Sequence, residues 1–166
     1  MAAQGYYPTI VRSDGPGIGS PDVIRLLEAD SQTFVKGSLV YAVAGKATVV
    51  PDSGAVILGI AQAAATNVTS AWTTIPIEVI RPGTRLRIRC YDSTAEAASN
   101  GGANAKLTRY GIHLATDLHY LDFADTDEVF VFIEEDLAPG QSSGDSYFAI
   151  VEVLPAVCQI ILGVDE

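Results

Sequence analysis

Cysteine is scarce in this chain. Cys90 and Cys158 are the only two, too few for a disulfide scaffold and without the CxxC spacing of metal or redox work, so buried free thiols are expected. Histidine is equally scarce: His113 and His119 stand alone, with the turn-like Thr116 and Asp117 between them, and a structural zinc site needs more ligands. No apolar run approaches the roughly 20 residues that span a bilayer, and Met1 to Pro8 lacks a basic segment followed by an apolar stretch. A soluble protein without an export signal is therefore expected. Positive charge is short too, with 10 Lys and Arg against 20 Asp and Glu and a net charge of -10. That balance disfavours nucleic acid and anionic membranes as partners.

What is abundant is apolar, at 48% hydrophobic against 18% charged residues, which excludes a disordered chain. With 166 residues, one domain with one core is expected. Residues 1–20 contain Gly5, Pro8, Gly15, Pro16, Gly17 and Gly19, too many breakers for a long regular element. They read as an extended N-terminal arm. Its apolar members Tyr6, Tyr7, Ile10, Val11 and Ile18 are costly to leave in water, so the arm is expected to lie along its own domain or a neighbouring subunit. The domain proper is placed at 21–166.

Ser20-Pro21-Asp22 has the pattern of a helix start, and 23–28 fits either a short helix or a strand. From Thr33 onward, runs rich in Val, Ile, Thr, Tyr and Phe alternate with Gly, Pro, Asn and Asp clusters, an all-β signature. Strands are predicted near 33–43, 46–50, 55–64, 73–80, 84–91, 107–114, 118–122, 128–134, 146–154 and 157–163. One short helix is expected after Ser93, where Glu96 completes a capping box and Asn100-Gly101-Gly102 stops it. The fold class is thus a single β-barrel or β-sandwich domain with at most one or two short helices.

Two segments carry more information. Ile75, Ile77 and Val79 alternate, Arg81-Pro82-Gly83-Thr84 supplies a turn, and Leu86, Ile88 and Cys90 alternate again. A hairpin about that turn sets Val79 opposite Leu86, Ile77 opposite Ile88, Ile75 opposite Cys90, and Glu78 opposite Arg87. A Pro-Gly type II turn matches hairpin twist poorly, however, and would let the two strands bend apart at a barrel corner. The runs 129–133 and 147–151 carry bulky apolar groups on both faces, among them Phe130, Phe132, Phe148 and Ile150, and so call for cover on both sides. Contacts between subunits are the favoured source of the second cover.

Motifs of catalysis are thin. Gly140-Gln-Ser142-Ser-Gly144 has the letters of a nucleophile elbow, yet a strand-like run follows where a helix is required. Gly15-Pro-Gly17-Ile-Gly19 has no preceding strand and no following Lys-Ser/Thr pair to make a phosphate cradle. Asn67-Val-Thr69 matches a glycosylation sequon only formally. Asp122, Asp125, Asp127 and Glu128 could gather around calcium, but their spacing is not that of an EF-hand, and a solvated acidic loop is favoured. No enzyme activity, catalytic residue, cofactor or metal is expected. Charge is lopsided: eight acids and no Lys or Arg lie between Asp117 and Asp136, while Arg81, Arg85, Arg87 and Arg89 crowd one stretch. Those arginines pair either with a neighbour's acidic face or within the chain.

The stretch Ser31-Gln-Thr-Phe34-Val-Lys36-Gly37-Ser-Leu-Val40, followed by Val56-Ile-Leu-Gly59-Ile-Ala61, resembles the opening β module of small head decoration (cement) proteins of tailed bacteriophages. Arg109-Tyr110-Gly111-Ile112, Tyr120-Leu-Asp122 and the Phe130 to Ile133 strand are similar in style to the second half of those proteins, so the likeness covers roughly residues 31–163. The order of the segments carries it more than their letters do. It implies a homotrimer, assembled in the host cytoplasm, on the outer capsid surface of the virion, with the major capsid protein as partner, that bridges capsomers and catalyses nothing. The arm and the segment Ser93 to Asn104 lie outside it. The residues expected to make capsid or subunit contacts are Tyr6, Tyr7, Ile10 and Val11 of the arm and Arg85, Arg87 and Arg89. The alternative is a glycan-binding or adhesion module on a virion surface, for which Trp72, Tyr91, Tyr110 and Tyr120 would supply stacking platforms. A cupin-type enzyme is disfavoured by the two histidines.

Overall fold

The computed structural model describes residues 8–11, 22–54, 56–70, 72–90, 107–115, 117–123, 128–136 and 148–159. They form eleven strands: β1 Thr9–Val11, β2 Val23–Glu28, β3 Leu39–Val43, β4 Lys46–Val49, β5 Gly59–Ala61, β6 Thr74–Val79, β7 Arg85–Arg89, β8 Arg109–Ala115, β9 Leu118–Asp122, β10 Phe130–Asp136 and β11 Phe148–Val153. A 3-10 turn, Pro155–Val157, follows β11. The chain is all-β, as its alternating runs imply, and it divides into two layers. Strands β2-β4-β3-β5-β6 close into a barrel, and β1-β7-β11-β10-β8-β9 form a six-stranded sheet.

Segment 23–28 is a strand. Pairing with β6 from Val23↔Glu78 to Leu27↔Thr74, and in parallel with β4, overrides the helix-start signal before it. The predicted strand at 157–163 is corrected over its described part: Val157 ends the 3-10 turn, and Cys158 makes only an isolated parallel bridge to Ile57. The helix expected after Ser93 lies outside the described residues.

The 75–90 hairpin does not form. β6 pairs with β2 and β5, and β7 pairs with β1 and β11, so the two strands belong to different layers. The turn explains the split. Gly83 has φ +76°, and the Thr84 N–H donates to the Arg81 carbonyl at 2.9 Å, a type II geometry whose twist opposes a tight hairpin. Glu78 therefore faces Gln62, which donates to it at 3.1 Å, and Arg87 pairs with Asp136 instead. The alternation survives: Ile75, Ile77, Val79, Leu86, Ile88 and Cys90 are all buried.

One expected core is two. Phe34, Val40, Ala42, Ala47, Leu58, Ala61, Ile75 and Ile77 fill the barrel. Phe130, Phe132, Tyr110, Phe123, Leu86, Ile88 and Val151 sit in a second cluster, under the sheet, which Leu39 and Ile60 of the barrel strands, with Val50, Ile57 and Ile80 flanking those strands, join from the other side. The barrel is narrow enough that Gly59 is obligatory, since a Cβ there would lie 2.2 Å from the Glu78 carbonyl oxygen.

Buried polar side chains stitch the layers. His119 lies between them, with its Nδ1 accepting from the Leu39 N–H at 3.0 Å and its Nε2–H donating to the Val50 carbonyl at 2.8 Å. Burial lowers its pKa to about 4, against the raising effects of that carbonyl and of Asp52. Gln159 bonds both the N–H and the carbonyl of Ala42 at 2.6 Å, replacing a ladder partner where β5 has ended. Cys90 and Cys158 are buried free thiols, and burial pushes the Cys158 pKa up.

Candidate assembly surface

The arm and the arginine stretch meet. β1 runs antiparallel along β7, with Thr9↔Arg87, Ile10↔Leu86 and Val11↔Arg85 as partners. Because side chains alternate across a strand, Ile10 follows Leu86 inward and packs on the sheet's core, while Val11 stands exposed beside Arg85. Four of the seven expected contact residues, Ile10, Val11, Arg85 and Arg87, thus share one sheet edge, with Arg89 further along β7. Tyr6 and Tyr7 lie outside the described residues.

The outward face next to that edge mixes arginine with apolar surface. Arg85 pairs with Glu152 at 3.6 Å and Arg87 with Asp136, and the Arg87 guanidinium lies 3.6 Å from the centroid of Phe148. Arg89 stands over Tyr120 at 5.9 Å. On the neighbouring strands Phe148, Ile150 and Val131 are half-buried, whereas Phe130, Phe132, Ala149 and Val151 are sealed inside. The expectation of apolar groups on both faces therefore holds, and arginine stems supply part of the outer cover. Of the two ways to place the arginines, Arg81, Arg85 and Arg87 take the intramolecular one, with Asp22, Glu152 and Asp136, and outside that stretch Arg109 pairs with Glu128 at 2.6 Å.

The remaining candidates scatter. Tyr110 is 6% exposed, edge-on to Phe123 and Phe132, and is corrected from stacking platform to core. The residue pattern held the clue, since Tyr110 shares a face with Ile112 across Gly111. Tyr120 is half-buried beneath Arg89, and Tyr91 lies outside the described residues. Trp72 is 83% exposed on the loop between β5 and β6. That loop is held by the buried Glu28, whose carboxylate accepts from the Thr66 N–H at 2.7 Å, the Thr66 hydroxyl at 2.8 Å and the Asn67 N–H at 3.2 Å.

The two histidines point to opposite faces. His113 pairs with Tyr120 and His119 with Leu114, so one ring faces outward, where it meets Asp52 at 3.0 Å, and the other faces the core. Among the described residues no three His, Cys, Asp or Glu side chains gather as metal ligands do. Of the acidic cluster, Asp122 ends β9 and Glu128 pairs with Arg109, while Asp125 and Asp127 lie outside the described residues, as does Gly140 to Gly144. Sequence reading missed His119, Glu28 and Gln159 as structural polar groups. The alternation of His119, Leu121 and Phe123 was the available signal for the first.

No protein family, curated protein or solved structure matches the chain.

Proposed function

We propose that this chain is a viral structural protein, a head decoration protein that binds the outside of an icosahedral phage capsid as a homotrimer and stabilises it by bridging capsomers. The observation that supports it is the convergence of the arm and the arginine strand: Ile10, Val11, Arg85 and Arg87 lie together on the one sheet edge that ends in a three-residue strand. A face of arginine stems and half-buried Phe148 and Ile150 beside that edge suits protein-protein contact. The mechanism is linkage. A protein that binds only the assembled shell stabilises it by its binding free energy, repeated at every site, with no reaction catalysed.

The experiment is co-sedimentation of the purified protein with expanded heads built from the major capsid protein of the phage that carries the chain, with its solution mass measured alongside. Saturable binding by a species of three chains is the expected result. A monomer that ignores such heads overturns the proposal.

Glycan binding, the second reading, rests on Trp72, an exposed indole on a loop held by Glu28. Retention on a glycan array that is abolished by Trp72→Ala would favour it.

A further inference from the structure

We infer that the edge of β7 is a receptor for the Thr9–Val11 segment of a second copy, so that neighbouring chains exchange β1. The inference stands apart from the capsid proposal, because it concerns only how copies of this chain meet.

Two observations carry it. First, the fit is already displayed: among the described residues β1 pairs with β7 alone, over three residues, and Ile10 seats on the sheet's core. A second copy's segment would make the same contacts in the same register. Second, the tether is longer than its own site requires. Val11 lies beside Arg85, while Asp22 bonds Arg81 and accepts from the Val79 N–H at 2.8 Å, so both ends of the ten-residue stretch 12–21 are anchored around one turn. Strand spacing and turn width put those anchors on the order of 15 Å apart, whereas ten extended residues reach roughly 33 Å.

Energetics decide when exchange happens. Ordering three residues costs about as much as one half-buried isoleucine and its ladder bonds return, so β1 opens readily from its own β7. Copies held side by side present one another's β7 at high effective concentration, and the open segment is captured by the neighbour.

Directly opposed residues on antiparallel strands have the spacing a disulfide needs. Val11→Cys and Arg85→Cys are both on the surface, and Cys90 and Cys158 are buried. The two single variants, separately tagged, are co-expressed, purified and mildly oxidised. The expected result is a covalent heterodimer on a non-reducing gel that neither variant forms alone, and a ladder of multimers from the double variant. The pair Thr9→Cys and Arg87→Cys repeats the test one register position away. No heterodimer from either pair, with the double variants closing entirely within single chains, overturns the inference.

Discussion

The barrel and the six-stranded sheet solve the same problem in different ways. β2 to β6 close on themselves, so every strand finds two neighbours and no edge is left to pair with another chain. Small residues, Ala42, Ala47 and Ala61, make that closure tight, and Phe34 fills the middle. The sheet holds the larger aromatics and, among the described residues, stays open at β1, although a bridge from Cys90 to Leu121 draws β9 toward the end of β7. The two layers therefore offer a neighbour different things: the barrel is a closed support, and the sheet carries the open edge and the arginine cluster of β7.

The largest expected effects come from asking whether the two layers are separable. Phe34→Ala in the barrel and Phe132→Ala in the sheet should each cost about 3–5 kcal/mol, as full truncations of buried aromatics do. Because Leu39 and Ile60 of the barrel strands, with Val50, Ile57 and Ile80 flanking those strands, pack in the sheet's core, both variants should unfold in one transition in urea. Two transitions, with only one moved by each variant, would break the layers apart.

His119 probes the seam between the two layers. Its folded pKa of about 4 lies below the ordinary 6.5, so between those values the unfolded chain binds a proton that the folded chain refuses. Stability is whole above pH 6.5 and falls as the pH drops toward 4, by about 2 kcal/mol between pH 7 and pH 5. Urea midpoints at the two pH values should show that loss in the native chain. His119→Gln, which does not titrate, should be less stable at pH 7 and should lose the pH dependence in this window.

Smaller effects belong to the outer face. Arg87→Ala gives up a half-exposed ion pair and the contact with Phe148, and should cost about 1 kcal/mol by thermal unfolding. Arg109→Ala breaks an exposed pair with Glu128 and should change stability by less than about 0.5 kcal/mol, a difference that added salt erases.

Strands were legible in the sequence because burial on one face leaves a period of two, as in Ile75, Ile77, Val79 and again in Leu86, Ile88, Cys90. Their partners were not. Alternation says which residues face inward but not which strand lies alongside, and the type II turn at Pro82-Gly83 sends β6 and β7 to different layers. The helix-start letters before Val23 lost to pairing with β6, a contact some fifty residues away that no local window sees. Of the candidate surface, the arm and the arginines were each legible from composition. Their meeting on β7 depends on a register that only the fold supplies.

The most direct measurement is a binding titration of expanded phage heads with the full chain and with a chain lacking residues 1–12, both checked for strand content by circular dichroism. Removal of β1 should leave the strand signal in place and weaken decoration at least about tenfold, the equivalent of roughly 1.4 kcal/mol. Equal occupancy of the heads by both chains would contradict the central role given to the β1 and β7 edge.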